Sequence, residues 1–266
     1  MMLAVQNLDV LGITTIGGNC TLENVTKNAL KVLEVLERTD IPVFAGHSCP
    51  TTVPLVTAPQ FHGETGLDGP VLPEPSVKAQ DKHAVDFIVE TVMNTDDVTL
   101  IATGPLTNIA AAINREPKIV ERVKELSIMG GSVTYGNWTP AAEFNIYVDP
   151  EAAYRVFNSG MHVKMSGINL TRQCCLTAEH VKKFREIGTK QFPPIVVMPS
   201  TSKFCTASIM AKASSCPGSQ SKITFFIFFL LYPLIYTHPE IAAAVLDPGK
   251  FSHPSLLRHN RILHSL

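Results

Sequence analysis

Through roughly the first 190 residues, short β-rich runs alternate with segments whose apolar residues recur every three or four positions. Val10 to Thr15 (VLGITT) reads as a buried strand running into Gly17-Gly18-Asn19. Behind it Leu22, Val25, Ala29, Val32 and Leu36 share one helical face, with Glu23 in the first turn where a carboxylate suits the helix dipole. Pro42 to Ala45 predicts a second short strand, and Asp81 is placed to cap a helix faced by Val85, Ile88, Val89 and Val92. Val98 to Ala102 (VTLIA) predicts a strand leading into Thr103-Gly104-Pro105. Pro105 suits a first helical position, with Leu106, Ile109, Ala110 and Ile113 as the stripe behind it. Leu126 to Met129 is a further strand, ending in Gly130-Gly131. Asp149-Pro150 opens a helix that should stop near Gly160, and Val163 to Ser166 closes the series as a strand.

This alternation predicts the α/β class, with a mostly parallel, Rossmann-like open sheet covered by helices on both faces. Ligands of such sheets bind beyond the carboxyl ends of the strands. Gly17-Gly18-Asn19, Thr103-Gly104-Pro105 and Gly130-Gly131 therefore belong to one rim, where glycines let a ligand approach the backbone.

Composition narrows the partners. A formal charge of -1 over 266 residues supplies no basic excess for a phosphate backbone, which disfavours nucleic acid. MMLAVQNLDVLG lacks the basic region and cleavage site of a signal peptide. Six cysteines (Cys20, Cys49, Cys174, Cys175, Cys205, Cys216) have no CxxC spacing, and reduced cytoplasmic thiols are expected. Ile223 to Tyr236 (ITFFIFFLLYPLIY) is almost wholly apolar, yet it is short for a membrane span and contains Pro233. A buried helix, a weak anchor and sequence foreign to the fold are the alternatives; the preceding ASSCPGSQS stretch favours the last, and no membrane partner is expected.

Chemistry concentrates in Tyr135 to Asp149 (YGNWTPAAEFNIYVD), where Asn137, Glu143 and Asn145 lie among Trp138 and Phe144. Carboxylate and amide groups beside aromatic rings suit a polyhydroxylated sugar, with donors and acceptors for hydroxyls and apolar faces for ring carbons. In an extended segment Glu143 and Asn145 point to the same side. The competing reading is an ordinary loop, with Asn137 in a Gly136-Asn137 turn and Glu143 solvated.

GITTIGGN (12–19), HGETGLDG (62–69), TGPLTNIA (103–110), IMGG (128–131) and AEFNIYVDPEAA (142–153) together resemble the blocks of inosine-uridine-preferring nucleoside hydrolases, in that family's order and spacing. The resemblance spans roughly residues 1–190. It implies a nucleoside hydrolase-like sheet and a purine/pyrimidine nucleosidase that uses calcium to cleave the N-glycosidic bond of ribonucleosides into ribose and base. It also implies Thr103 as a calcium ligand through its backbone carbonyl, Asn19 beside the metal-bound water, and Asn137 with Glu143 on the ribose 5′-hydroxyl. Asn145 is implied at the lower ribose hydroxyls, Met129 against the sugar, and His62 in a loop near the base.

Two departures accompany the resemblance. Family members carry an aspartate cluster of the form DxDPGxDD after their first strand, supplying calcium ligands and the general base; this sequence has no such motif. MMLAV resembles the helix that follows the cluster, so the fold is expected to be incomplete, lacking a central strand and leaving its neighbours' edges exposed. THPEIAAAVLDP (237–248) resembles the family's HDP block, but an ungapped match puts Thr237 at the histidine and His238 at the aspartate. His238 is the candidate catalytic histidine if it slides by one place, and a surface histidine otherwise. The expected organisation is a hydrolase-like α/β domain over 1–212 without its first strand, an atypical insert over 213–236, and a remnant of the hydrolase block with an unmatched tail over 237–266. The expected function is an impaired ribonucleoside hydrolase with calcium weakly bound or absent, acting on nucleosides of the inosine/uridine class and possible as a homo-oligomer. The alternative is a non-catalytic ribose- or nucleoside-binding or interaction protein derived from that fold.

Overall fold

A computed structural model of the chain describes residues 8–67 and 71–173, three isolated positions (Glu179, Lys182 and Glu186), and the backbone of residues 221–226. The elements in chain order are β1 (Leu8–Thr15), α1 (Leu22–Val35), β2 (Val43–Ala45), α2 (Pro59–His62), α3 (Ala84–Asn94), β3 (Val98–Ala102) and α4 (Thr107–Arg115). They continue as α5 (Ile119–Arg122), β4 (Glu125–Met129), α6 (Phe144–Val148), α7 (Pro150–Phe157), β5 (Val163–Ser166), α8 (Ile168–Thr171) and β6 (Ser221–Phe226). The strands form one sheet in the order β2-β1-β6-β3-β4-β5, and every pairing is parallel.

Side-chain alternation on β3 explains why both faces are covered. Val98, Leu100 and Ala102 enter a core with Val85 and Ile88 of α3, Ile109 and Ile113 of α4, and Val156 of α7. Ile101, between them on the opposite face, enters a second core with Val25, Ala29 and Leu33 of α1 and Ile13 of β1. Period-two apolar strands between amphipathic helices have no other way to hide both faces.

Local chemistry sets the helix boundaries. Thr21 starts α1 by accepting the Asn24 N–H, and Asp149 starts α7 by accepting the Ala152 N–H at 3.0 Å, with Pro150 at the first helical position. α7 ends at Phe157, shortly before Gly160 at φ +88°. Two expectations are corrected. α3 is capped by His83 rather than Asp81, because the helix begins at Ala84 and only His83 reaches the Val85 N–H. α4 begins at Thr107 rather than at Pro105, with Leu106 still outside helical geometry.

Part of the apolar segment set apart at 213–236 falls among the described residues. Ser221–Phe226, inside 213–236, pairs with β1 on one side and β3 on the other. A β-rich run that does not alternate in polarity suits a strand covered on both faces. Among the described residues no helix is long and apolar enough to cross a membrane. Cys20 is buried and Cys49 exposed, both as free thiols; the other cysteines, residues 1–7 and 237–266, and with them His238, lie outside the described residues.

Candidate functional site

The carboxyl ends of β3 and β4 bring the predicted sugar-facing residues together, by a local geometry that differs from the extended one. Glu143 and Asn145 belong to the start of a helix, α6. Glu143 caps it, with Oε2 accepting the N–H groups of Asn145 (2.9 Å) and Ile146 (3.3 Å), and the same oxygen also takes the Gly131 N–H at 2.9 Å. One carboxylate oxygen thus ties the end of β4 to the helix. A helix start leaves N–H groups without intrahelical acceptors, and these recruit Glu143 out of the alternation that would aim it beside Asn145.

Asn145 extends the tie to β3. Its Nδ2 donates to the Met129 carbonyl at 3.0 Å and lies 3.3 Å from the Met129 sulfur and 3.4 Å from the Thr103 carbonyl. Asn137 closes the chain of contacts, its Oδ1 accepting the Phe144 N–H at 2.8 Å. Trp138 packs edge-on to Phe144 with ring centroids 4.8 Å apart, so the aromatic part of the segment supports α6 from outside. Thr103, Met129, Asn137, Glu143 and Asn145 therefore form one connected cluster.

Asn19 and His62 sit on a neighbouring wall. Asn19, half-buried in the turn after β1, accepts the Ala58 N–H at 2.9 Å, and Ala58 introduces α2, which ends at His62. Ala58 in turn packs against Phe144 and Val148 of α6. This wall reaches the cluster through apolar contact; no hydrogen bond described between side chains joins the two. Burial lowers the pKa of His62 and favours its neutral ring.

Burial pushes the Glu143 carboxyl above its ordinary value, against the opposing pull of the Gly131, Asn145, Ile146 and Phe144 amides. Its proton is thus held more tightly in the folded chain than in the unfolded one. The ionised group costs stability as pH rises past the unfolded value of 4.5, and below that value the cost is gone. Glu143→Gln offers an amide oxygen to the same N–H groups without a buried charge. Its melting temperature should equal or exceed wild type at pH 7.5 and lose that advantage near pH 4, by scanning calorimetry. A deficit that is deepest at pH 7.5 would contradict this account.

Sequence reasoning missed the group that holds the cluster from behind. Asp149 is fully buried; its Oδ2 accepts the Thr51 N–H (2.9 Å), the Thr51 hydroxyl (2.8 Å) and the Thr107 hydroxyl (2.7 Å). The Asp-Pro pair signals a helix start, but nothing in the letters signals the two threonines, which lie 98 and 42 positions away. Asn108, also nearly inaccessible, donates to the Thr15 carbonyl at 3.0 Å and accepts the His47 N–H, holding the ends of β1 and β2 to α4.

A calcium ion prefers six to eight oxygen ligands. Among the described residues the donors do not fit it. The Thr103 carbonyl faces an amide N–H donor of Asn145, Glu143 Oε2 already accepts three amides, and no group of three or more His, Cys, Asp or Glu among the described residues is arranged for a metal.

The family sequence model described as inosine-uridine preferring nucleoside hydrolase matches residues 1–260. This chain belongs to that family. Pyrimidine-specific ribonucleoside hydrolases RihA of Enterobacter sp. (strain 638) and of Escherichia coli O8 (strain IAI1) are each 39% identical over 253 residues, 95% of this chain and 80% of theirs. Among solved structures, the purine-preferring ribonucleoside hydrolase from Gardnerella vaginalis is 33% identical with a TM-score of 0.69, covering 71% of this chain and 62% of that one. The plant nucleoside hydrolase PpNRh1 is 38% identical with a TM-score of 0.62, covering 66% of this chain and 57% of its own. The chain therefore spans about three-fifths of the length of these solved family members.

Proposed function

We propose that this chain recognises the ribose of a ribonucleoside and hydrolyses the N-glycosidic bond only weakly. The observation that carries this reading is the single hydrogen-bonded cluster joining Asn137, Glu143 and Asn145 to the Thr103 carbonyl at the carboxyl ends of the strands. Glu143 commits Oε2 to backbone amides, and we assign its second oxygen, Oε1, to a sugar hydroxyl. Asn145 is held by its neighbours in one orientation, which spares a ligand the entropy of ordering it. Asn137 is exposed and completes the sugar wall, while Met129 and Phe144 supply apolar surface behind it.

Calcium, where family members bind it, would acidify water and neutralise developing charge. The donor set described above supports little or no calcium binding here, so the reading assigns binding and orientation to the described residues and no further step. Relatives named for pyrimidine and for purine preference both resemble the chain, so the proposed ligand class is the ribonucleoside, defined by its sugar.

Calorimetric titration with inosine, uridine and ribose, with and without calcium, tests the reading beside a chromatographic assay for free base. The expected result is saturable binding that calcium does not change, with turnover at least about a thousandfold below the usual 1–10³ s⁻¹ of enzymes. Calcium-dependent turnover inside that range would overturn the impairment. Absence of any ribose or nucleoside binding would overturn the pocket itself.

A further inference from the structure

His83 and His47 meet beside the carboxyl ends of β1 and β2, with ring centroids 5.1 Å apart and planes at 89°. Their proton positions follow from their partners. The Thr15 carbonyl can only accept, so the amide nitrogen of Asn108 faces it, at 3.0 Å, and the amide oxygen faces His47. His47 Nδ1, 3.0 Å from that oxygen, must then carry the hydrogen, and this bond survives in either charge state of the ring. His83 has the opposite requirement. Its Nδ1 accepts the Val85 N–H at 3.3 Å and caps α3, so it must keep a lone pair there.

We propose that His83 is a proton-operated cap that accepts the Val85 N–H and closes the first turn of α3 when neutral, and gives up that bond when protonated. A second proton on His83 can go only to Nδ1, which then has no lone pair for Val85 and adds positive charge to a helix N-terminus that already disfavours it. The groups around it divide. His47 from the turn after β2 and Arg115 from α4 oppose the charge, while Asp86 of α3 and a hydrogen bond to the Gly46 backbone favour it. Desolvation, the largest influence, also opposes it, so the ring is held below its ordinary value of 6.5. Because the folded value is depressed, the contribution is complete above about pH 6.5 and is lost as the pH falls through the folded value.

The structure also gives the released turn something to disturb. Gly46 lies against Asn108 so closely that a Cβ there would sit 2.3 Å from Nδ2. α3 packs on α4 and on β2, and Asn108 ties α4 to the ends of β1 and β2. Loosening the first turn of α3 therefore loosens the corner under Gly17, whose N–H donates to the His47 carbonyl at 3.0 Å.

The test is hydrogen exchange on the full chain at pH 7.5 and 5.5, corrected for intrinsic rates, comparing a peptide over 84–90 with one over 150–157, in wild type and His83→Asn. Asparagine keeps a capping oxygen and does not titrate. Wild type should lose about fivefold protection in 84–90 relative to 150–157 on acidification, the factor a single cap supplies, and His83→Asn should lose none. Ring-proton NMR should show His83 titrating below 6.5 in wild type and moving upward in His47→Asn. Equal loss in His83→Asn, unchanged protection in wild type, or a His83 midpoint indifferent to His47 would each overturn the proposal.

Discussion

Asp149→Ala should lower the unfolding free energy by about 3–5 kcal/mol, the range seen when one partner of a buried, charge-assisted network is removed. The carboxylate is fully buried and accepts from Thr51 N–H, Thr51 hydroxyl, Thr107 hydroxyl and Ala152 N–H. Alanine would leave these donors without their acceptor and would remove the cap of α7. A hydrogen bond to a charged group contributes about 1.5–3 kcal/mol, and the sum over four is not additive. Asp149→Asn keeps one oxygen but turns an NH2 toward some of the donors, so it should fall between alanine and wild type. Urea denaturation followed by circular dichroism measures the series. A change below about 1 kcal/mol for alanine would show that the network is rebuilt around water and does not brace the chain.

Gly136→Ala should disrupt the proposed sugar wall while leaving most of the fold in place. A Cβ at residue 136 would lie 2.1 Å from the Ala142 carbonyl oxygen and 2.5 Å from the Thr139 oxygen. Both are backbone atoms, and they belong to a loop closed by Gly136 N–H to Pro140 O (3.0 Å) and Asn137 N–H to Ala142 O (3.2 Å). The loop cannot yield without moving Asn137 away from the Phe144 N–H. Nucleoside affinity should fall by more than about tenfold, equivalent to about 1.4 kcal/mol, with a stability loss of roughly 1–3 kcal/mol as for other overpacking substitutions. Calorimetric binding beside thermal melting separates the two effects. Unchanged affinity would remove Asn137 from the proposed site.

The periodic elements were legible because burial on two faces demands regular spacing. β3, α4 and α7 follow directly from VTLIA, from the Leu106, Ile109, Ala110 and Ile113 stripe, and from Asp149-Pro150. The cluster of polar residues was legible as a set, through the family blocks that carry it, but its local form was not. Glu143 reads as one member of an alternating strand and is a helix cap instead, because sequence spacing does not say which backbone amides will lack an acceptor. The bonds of Asp149 to Thr51 and Thr107 and the His47–Asn108–His83 corner were invisible, since the partners come from distant elements. Within the apolar run at 223–236, the described residues 223–226 belong to β6. Lack of alternation does not say which strand position those residues take, because a strand paired on both sides needs no polar face.

The place of β6 in the sheet carries a consequence for how the molecule is made. The β1–β2 pair and the β3–β4–β5 set are both joined to β6, with Leu8 opposite Ser221 and Val98 opposite Lys222. A ribosome must therefore finish the whole stretch between β1 and β6 before the piece that unites the two half-sheets emerges, and contacts of such long sequence separation close slowly. Until then two strands wait with ladder groups unmet, so yield during synthesis should depend on chaperone supply more steeply than the stability of the finished chain would suggest.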